Sequence, residues 1–493
     1  MGTGTARVIV AALSCSLAGC PELGLGSEST SAPVATTAAP SSVVSSAASG
    51  SAAASASAAG SAAPASATRS PDHIAASRAF VEEMGRGDFA AAVKRIPAKD
   101  GKSVSPSDLE SMWKSSLGDR GAFEAVTDVH KEPSGKSEIV RVVVRLSKGS
   151  MAVKVGYGAD DVMSRFRILP SKPPYDAPSY VDESKLDNRE IQIGKDALAL
   201  PGTLTLPKGP GPWPVVVFVH GSGGGDRDES GEGGARPFRD IAEGLARKGF
   251  ASIRWDKRTS DPDYVRALDI DVADFTVDHE YMNDIGAALE LAKSTAELDP
   301  KKIYVIGHSM GGWLVPWLLE RHTDIVGGII LAGNARHLLD LLPQQYEYLA
   351  KLDDGAIGPL EKLEIDKIKK QCKLARDPKL ALDTPASDLP FGTGPKYWLG
   401  IQKYDAVATA KKLKQPLLIL QGGRDYQVTE KEDLALWQSG LAKSGDVVAK
   451  VYPELNHAFV AGKGMATPEE YKTSNGHVDP RVVEDILGWL ATR

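Results

Sequence analysis

From Arg189 onward the chain alternates between short β-branched runs and amphipathic helical stretches, and this alternation constrains the fold more than any other feature. Pro214-Val215-Val216-Val217-Phe218-Val219-His220 is almost wholly apolar, as a strand buried on both faces must be. Further strand-like runs stand at Ala251–Trp255, Lys302–Ile306, Val326–Ala332, Pro416–Gln421 and Ala449–Val451. Helical stretches at Pro237–Lys248, His279–Ser294, Gly312–Arg321, Glu430–Ala442 and Pro480–Ala491 alternate with them. Glu190–Ile193 and Thr203–Leu206 read as an opening hairpin. Parallel strands require long crossovers, and crossover helices cover both faces of the sheet. The expected class is α/β: a mostly parallel sheet with helices on both faces, over residues 189–493. Between Arg336 and Leu413 the alternation stops, so a charged, helical stretch at about 337–413 reads as a cap inserted after the sixth strand.

Three residues with chemistry fall at the carboxyl ends of these strands, where open α/β sheets build their sites. Gly307-His308-Ser309-Met310-Gly311 follows one strand and opens a helix. The motif alone is weak, since composition gives roughly 0.3–0.4 chance matches in a chain of this length. Its place between strand and helix makes it specific: a sharp turn there lifts the Ser309 hydroxyl above the sheet and demands small flanking residues. A serine hydroxyl needs a base, and the base an orienting acid. Asp425 follows the strand ending at Gln421, and His457 follows the next, giving the order Ser309, Asp425, His457.

Acyl transfer also develops an oxyanion that backbone N–H groups must stabilise. The Gly-rich turn His220-Gly221-Ser222-Gly223-Gly224-Gly225 is the expected source of one donor, Ser222 (or Gly223), and Met310 of the other. His220 is expected to brace this turn. His308 is expected to point away from the nucleophile. No Gly-Lys-Ser/Thr follows the glycines, which argues against a phosphate loop. The spacings of Cys and His offer no zinc motif, and no cofactor or metal is expected.

These residues resemble the α/β-hydrolase superfamily. His220-Gly221-Ser222-Gly223, Asp226-Arg227-Asp228-Glu229 and Trp255-Asp256-Lys257-Arg258 are similar to a bacterial carboxylesterase subgroup near the dienelactone-hydrolase and acyl-peptidase branch. The resemblance implies a serine esterase acting on a small-molecule ester through an acyl-enzyme. One departure stands out: the subgroup usually has Gly after Asp-Lys-Arg, and here Thr259-Ser260-Asp261-Pro262 follows. Asp226, Arg227, Asp228, Asp256 and Arg258 are expected to form a loop-bracing ion-pair network, with a role in gripping a charged substrate as the alternative. Tyr346, Tyr348, Leu360, Trp398 and Tyr404 are candidates for the cap core or for the pocket wall. Two other readings stay open: a peptidase of the same fold, and a non-enzymatic envelope lipoprotein that binds a ligand through its small domain.

The first 70 residues are of another kind. Arg7 and the apolar run Val8–Leu17 read as a signal peptide over 1–19, too short to span a bilayer. Leu17-Ala18-Gly19-Cys20 resembles the lipobox of bacterial lipoproteins, which implies cleavage before Cys20, lipidation of its thiol and a place in the cell envelope. Residues 20–70, almost all Ala, Ser, Pro and Thr after Ser27, form an expected disordered tether. With Cys15 removed and Cys20 lipidated, Cys372 is the only remaining thiol, so the mature chain has no intrachain disulfide. Residues 71–170 read as a small α+β domain: helices His73–Ile96 and Pro106–Leu117, then four strand-like runs. It resembles the nuclear-transport-factor-like class. A Pro-rich linker, 171–188, leads into the large domain. A net charge of -6 argues against a nucleic-acid partner.

Overall fold

The computed structural model describes residues 72–98, 103–132, 138–158, 160–169 and 175–493. The leader, Cys20 and the tether lie outside the described residues.

Residues 73–493 form one compact unit, in which the stretch expected as a small domain carries three α-helices, His73–Gly85, Phe89–Val93 and Pro106–Leu117, and a four-stranded antiparallel sheet. Its strands run in sequence order: β1 (Phe123–Glu132), β2 (Glu138–Leu146), β3 (Gly149–Tyr157) and β4 (Met163–Leu169). The helix expected over His73–Ile96 is broken, because Gly87 takes φ 80° and Asp88 caps a second helix through the Ala91 N–H. Alternation decides the sheet's buried face: Val140, Val142 and Val144 of β2 are buried in one cluster with Phe80, Met84 and Trp113. Each such side chain contributes about 1.5–3 kcal/mol by leaving water.

The large domain is built on an eight-stranded sheet. In chain order its strands are β5 (Leu186–Ile193), β6 (Leu200–Pro207), β7 (Trp213–Val219), β8 (Ala251–Trp255), β9 (Leu298–His308), β10 (Ile325–Leu331), β11 (Leu417–Gly422) and β12 (Val447–Tyr452). Across the sheet the order is β12-β11-β10-β9-β7-β8-β6-β5. β5 and β6 pair antiparallel, and β7 to β12 pair parallel. The sheet therefore begins at Leu186, inside the stretch read as linker. The described part of that stretch is also tied down, with Tyr175 donating to Asp240 at 2.8 Å and Tyr180 to the Val478 carbonyl at 2.8 Å.

Successive residues of β7 point to opposite cores. Val215, Val217 and Val219 join Ile303, Val305 and Trp313 on one face, whereas Val216 and Phe218 join Phe238, Ile306 and Ile486 on the other. This explains why β7 tolerates no polar residue. After β7 the chain runs to β8 on one side, then crosses to β9 on the other. The carboxyl ends of β7 and β9 thus flank a topological switch point, where such sheets bind ligands.

The stretch between β10 and β11 is helical, as expected: Leu338–Ala350, Pro359–Ala375, Pro395–Ile401 and Ala406–Ala410. Of its five candidate wall residues, Trp398 is fully buried, Tyr404 donates to the Trp313 carbonyl at 2.7 Å, and Tyr348 donates to the Ala466 carbonyl at 2.9 Å. Tyr346 packs against the core and Leu360 is half exposed.

Candidate active site

Ser309 sits between β9 and the Met310–Arg321 helix at φ 53°, ψ -121°. A non-glycine residue reaches that region only under strain that its surroundings hold in place. Here they do so by close packing. A Cβ on Gly307 would stand 2.2 Å from the Gly311 carbonyl oxygen, and one on Gly311 would stand 2.3 Å from the Val219 oxygen. Both flanking positions must therefore be glycine, and Ser309 is held at the tip of the turn.

Asp425 and His457, separate in sequence, meet over the same end of the sheet. His457 Nδ1 lies 2.6 Å from Asp425 Oδ2, and both side chains are buried. The carboxylate also accepts from the Gln427 and Val428 amides at 2.8 and 3.0 Å and from Gln421 Nε2 at 3.1 Å, so its orientation is fixed from three sides. A carboxylate on Nδ1 sets the tautomer and leaves Nε2 free to work as a base. Ser309, His457, Ser222 and Gly223 line one cavity with Glu229, Gln427 and Tyr471. No hydrogen bond joins Ser309 Oγ to His457 among the described residues. Contacts of this kind often close only when substrate is bound.

The Gly-rich turn borders the same cavity. Its Gly221 N–H is already engaged, donating to Glu229 Oε1 at 2.7 Å. The next amide, that of Ser222, has no acceptor among the described residues. Met310 is the first residue of its helix and has no carbonyl one turn back within it. His220 Nε2 lies 3.0 Å from the Asp226 carbonyl, and burial holds the imidazole below its usual range, so it is a neutral brace of the turn.

Two groups of residues whose partners the sequence did not reveal hold this site together. His308 does not face Ser309. Its Nδ1 meets Glu229 Oε2 at 2.7 Å, and its Nε2 lies 2.9 Å from the His457 carbonyl. Burial opposes its charged form, but Glu229 outweighs burial and raises the imidazole above its usual value. Burial likewise pushes the Glu229 carboxyl up, and His308 more than offsets it. The second group is centred on Lys257, whose buried ammonium donates to the Gly221 carbonyl at 2.9 Å, the Gly223 carbonyl at 2.6 Å and Tyr281 at 2.6 Å. Glu280 pairs with it at 2.6 Å, and Tyr397 of the cap donates to Glu280 at 2.7 Å.

The ion pairs expected to brace this loop form as separate pairs, and Arg258 is not among them. Arg227 meets Asp256 at 3.1 Å, Arg254 pairs with Asp228, and Asp226 caps its own turn through Ser230. Arg258 belongs elsewhere: its guanidinium grips Asp284 at 2.5 and 3.0 Å. Its chain neighbours misled, because the helix carrying Asp284 reaches it from a distant segment. None of the five cap candidates lines the cavity around Ser309, whose walls come from the Gly-rich turn and the loops near His457 and Tyr471. Among the described residues no group of three or more His, Cys, Asp or Glu could hold a metal ion.

Residues 212–462 match the serine aminopeptidase S33 family, a span of half the chain. Esterase EstD of Thermotoga maritima is 31% identical over 417 residues, covering 83% of this chain and 93% of that protein. The chain belongs to the S33-type α/β-hydrolases. Among solved structures, the Pyrococcus furiosus esterase Pf2001 is 17% identical with a TM-score of 0.38, over 65% of this chain and 97% of that one. The acylaminoacyl peptidase of Pyrococcus horikoshii is 15% identical with a TM-score of 0.40, over 76% and 56%.

Proposed function

We propose that the protein is a serine carboxylesterase working through an acyl-enzyme on Ser309. The observation that carries this is the Asp425–His457 bond in the cavity that also exposes a strained Ser309. His457 Nε2 takes the Ser309 proton as Oγ attacks the ester carbonyl, and Asp425 stabilises the imidazolium that forms. The Ser222 and Met310 amides receive the negative charge on the former carbonyl oxygen. His457 returns the proton to the leaving alcohol. Water then repeats the sequence on the acyl-enzyme and regenerates Ser309. None of these steps draws on a cofactor.

The likeness to EstD supports an ester over an amide as substrate, while the S33 family description supports aminoacyl amides as the second reading. One panel separates them: acyl p-nitrophenyl esters of graded chain length against aminoacyl p-nitroanilides, with wild type and Ser309→Ala. The esterase reading expects ester turnover that Ser309→Ala abolishes. Higher kcat/KM on the anilides selects the peptidase, and full ester turnover by Ser309→Ala overturns both.

The same proposal places the enzyme in the cell envelope, lipidated at Cys20 and carried on the Ala/Ser tether. Its support is the sequence Leu17-Ala18-Gly19-Cys20 after an apolar run. Cys20→Ser moving the protein from the membrane fraction to the soluble one is the expected result. The likeness of the small domain to the nuclear-transport-factor class is supported by its helices set against one antiparallel sheet.

A further inference from the structure

The segment Thr259-Ser260-Asp261-Pro262, where the related esterases usually continue with glycine, is where the small domain meets the catalytic one. Lys154 of β3 is 3% exposed, a rare state for a lysine. It pairs with Glu132 of its own sheet and reaches Asp261 Oδ2 at 2.6 Å, with its ammonium 4.7 Å above the Tyr264 ring. Arg167 of β4 meets the same Asp261 oxygen at 2.6 Å, and Arg165 meets Asp263 at 3.0 Å.

The other side of this segment faces the Gly-rich turn. Lys257 Nζ binds the Gly221 and Gly223 carbonyls, Thr259 Oγ1 donates to the Gly223 carbonyl at 3.1 Å, and the Lys257 amide donates to the Gly225 carbonyl at 3.0 Å. All these contacts hold carbonyls of the turn. In a peptide, holding the carbonyl orients the following N–H, and Ser222 N–H belongs to the same peptide unit as the Gly221 carbonyl. The five residues 257–261 thus carry the domain contact at Asp261 and the hold on the Gly221 carbonyl at Lys257, with Thr259 between them fixing the turn through the Gly223 carbonyl.

We propose that the small domain is a positioning module for catalysis: through Lys154, Arg167 and Asp261 it sets the 257–261 segment that orients the oxyanion amides. This rests on the Ser309 esterase reading. Buried ion pairs add little stability over apolar packing, but they specify geometry where registry matters. A loop that must hold an amide within a fraction of an ångström is such a place.

The test uses the full chain, with kcat expressed per active site titrated by the ester burst. Asp261→Asn keeps shape and removes the charge that Lys154 and Arg167 hold. It is expected to lower kcat about 10-fold with KM within about twofold, and to weaken a trifluoromethyl ketone analogue by the same factor as kcat/KM. A purely structural contact would lower the number of titratable sites and leave kcat per site unchanged. Thr259→Val leaves the domain interface intact and serves if Asp261→Asn folds poorly. It is expected to lower kcat per site about threefold, with a parallel loss for the analogue. Unchanged kcat per site and analogue affinity in the folded variants overturn the proposal. A wild type with neither burst nor analogue binding overturns the esterase reading beneath it, a result distinct from unchanged variants.

Discussion

Glu229 and His308 form an ion pair that joins three separate parts of the site. Glu229 Oε1 accepts the Gly221 amide at 2.7 Å, Glu229 Oε2 meets His308 Nδ1 at 2.7 Å, and His308 Nε2 lies 2.9 Å from the His457 carbonyl. The Gly-rich turn, the residue before Ser309 and the backbone of His457 are thereby one unit. The contact with Glu229 is an ion pair only while His308 is an imidazolium. Glu229→Gln is therefore expected to cost about 2–3 kcal/mol of stability, by denaturant unfolding, because it leaves a buried cation short of its counter-charge. Its kcat per titrated site should fall more than its KM changes.

The pair has a signed pH dependence. His308 is raised above its ordinary value, so its contribution to stability is complete below about pH 6.5 and is lost as pH rises through the folded value. Glu229 is lowered, so its contribution is complete above about pH 4.3 and is lost as pH falls through its folded value. The melting temperature of wild type minus that of Glu229→Gln should be greatest near pH 5–6 and shrink toward alkaline pH once His308 deprotonates. Calorimetry from pH 3 to 10 reads this directly, and a difference that grows with alkalinity contradicts it.

Asp425→Asn should leave the fold intact and lower kcat by about 10⁴-fold, since the amide accepts poorly from Nδ1–H and favours the wrong tautomer. Circular dichroism matched to wild type, with the rate measured on one ester, checks both halves of the statement.

The elbow glycines carry a steric prediction. In Gly311→Ala the new methyl must displace the backbone of β7 at Val219, which cannot rotate away. A loss of about 1–3 kcal/mol is expected, accompanied by loss of activity because the Ser309 turn relaxes.

How much of this was legible in the chain follows from how local each feature is. Ser309, Asp425 and His457 each stand just after an apolar strand, and parallel strands bring their carboxyl ends together whatever the loops do. The strain at Ser309 could be foreseen because Gly307 and Gly311 flank it. Glu229 and His308 could not be paired, since nothing near either residue tells that a loop after β7 folds back over the end of β9. Adjacency in the chain points Arg258 toward Asp256, yet Asp284 reaches it from another helix. The break at Gly87 was hidden by apolar spacing that continues across it. The role of Asp261 was invisible without the strands at Gly149–Tyr157 and Met163–Leu169 that reach it, although Thr259 in place of the usual glycine marked the segment.

The central claim is a covalent acyl-enzyme on Ser309, and trapping tests it most directly. A fluorophosphonate probe on the folded full-length protein, followed by peptide mass spectrometry, should place one adduct on Ser309, lost in Ser309→Ala and much slowed in His457→Ala. An adduct on another serine, or none on folded protein that still turns over esters, contradicts the account.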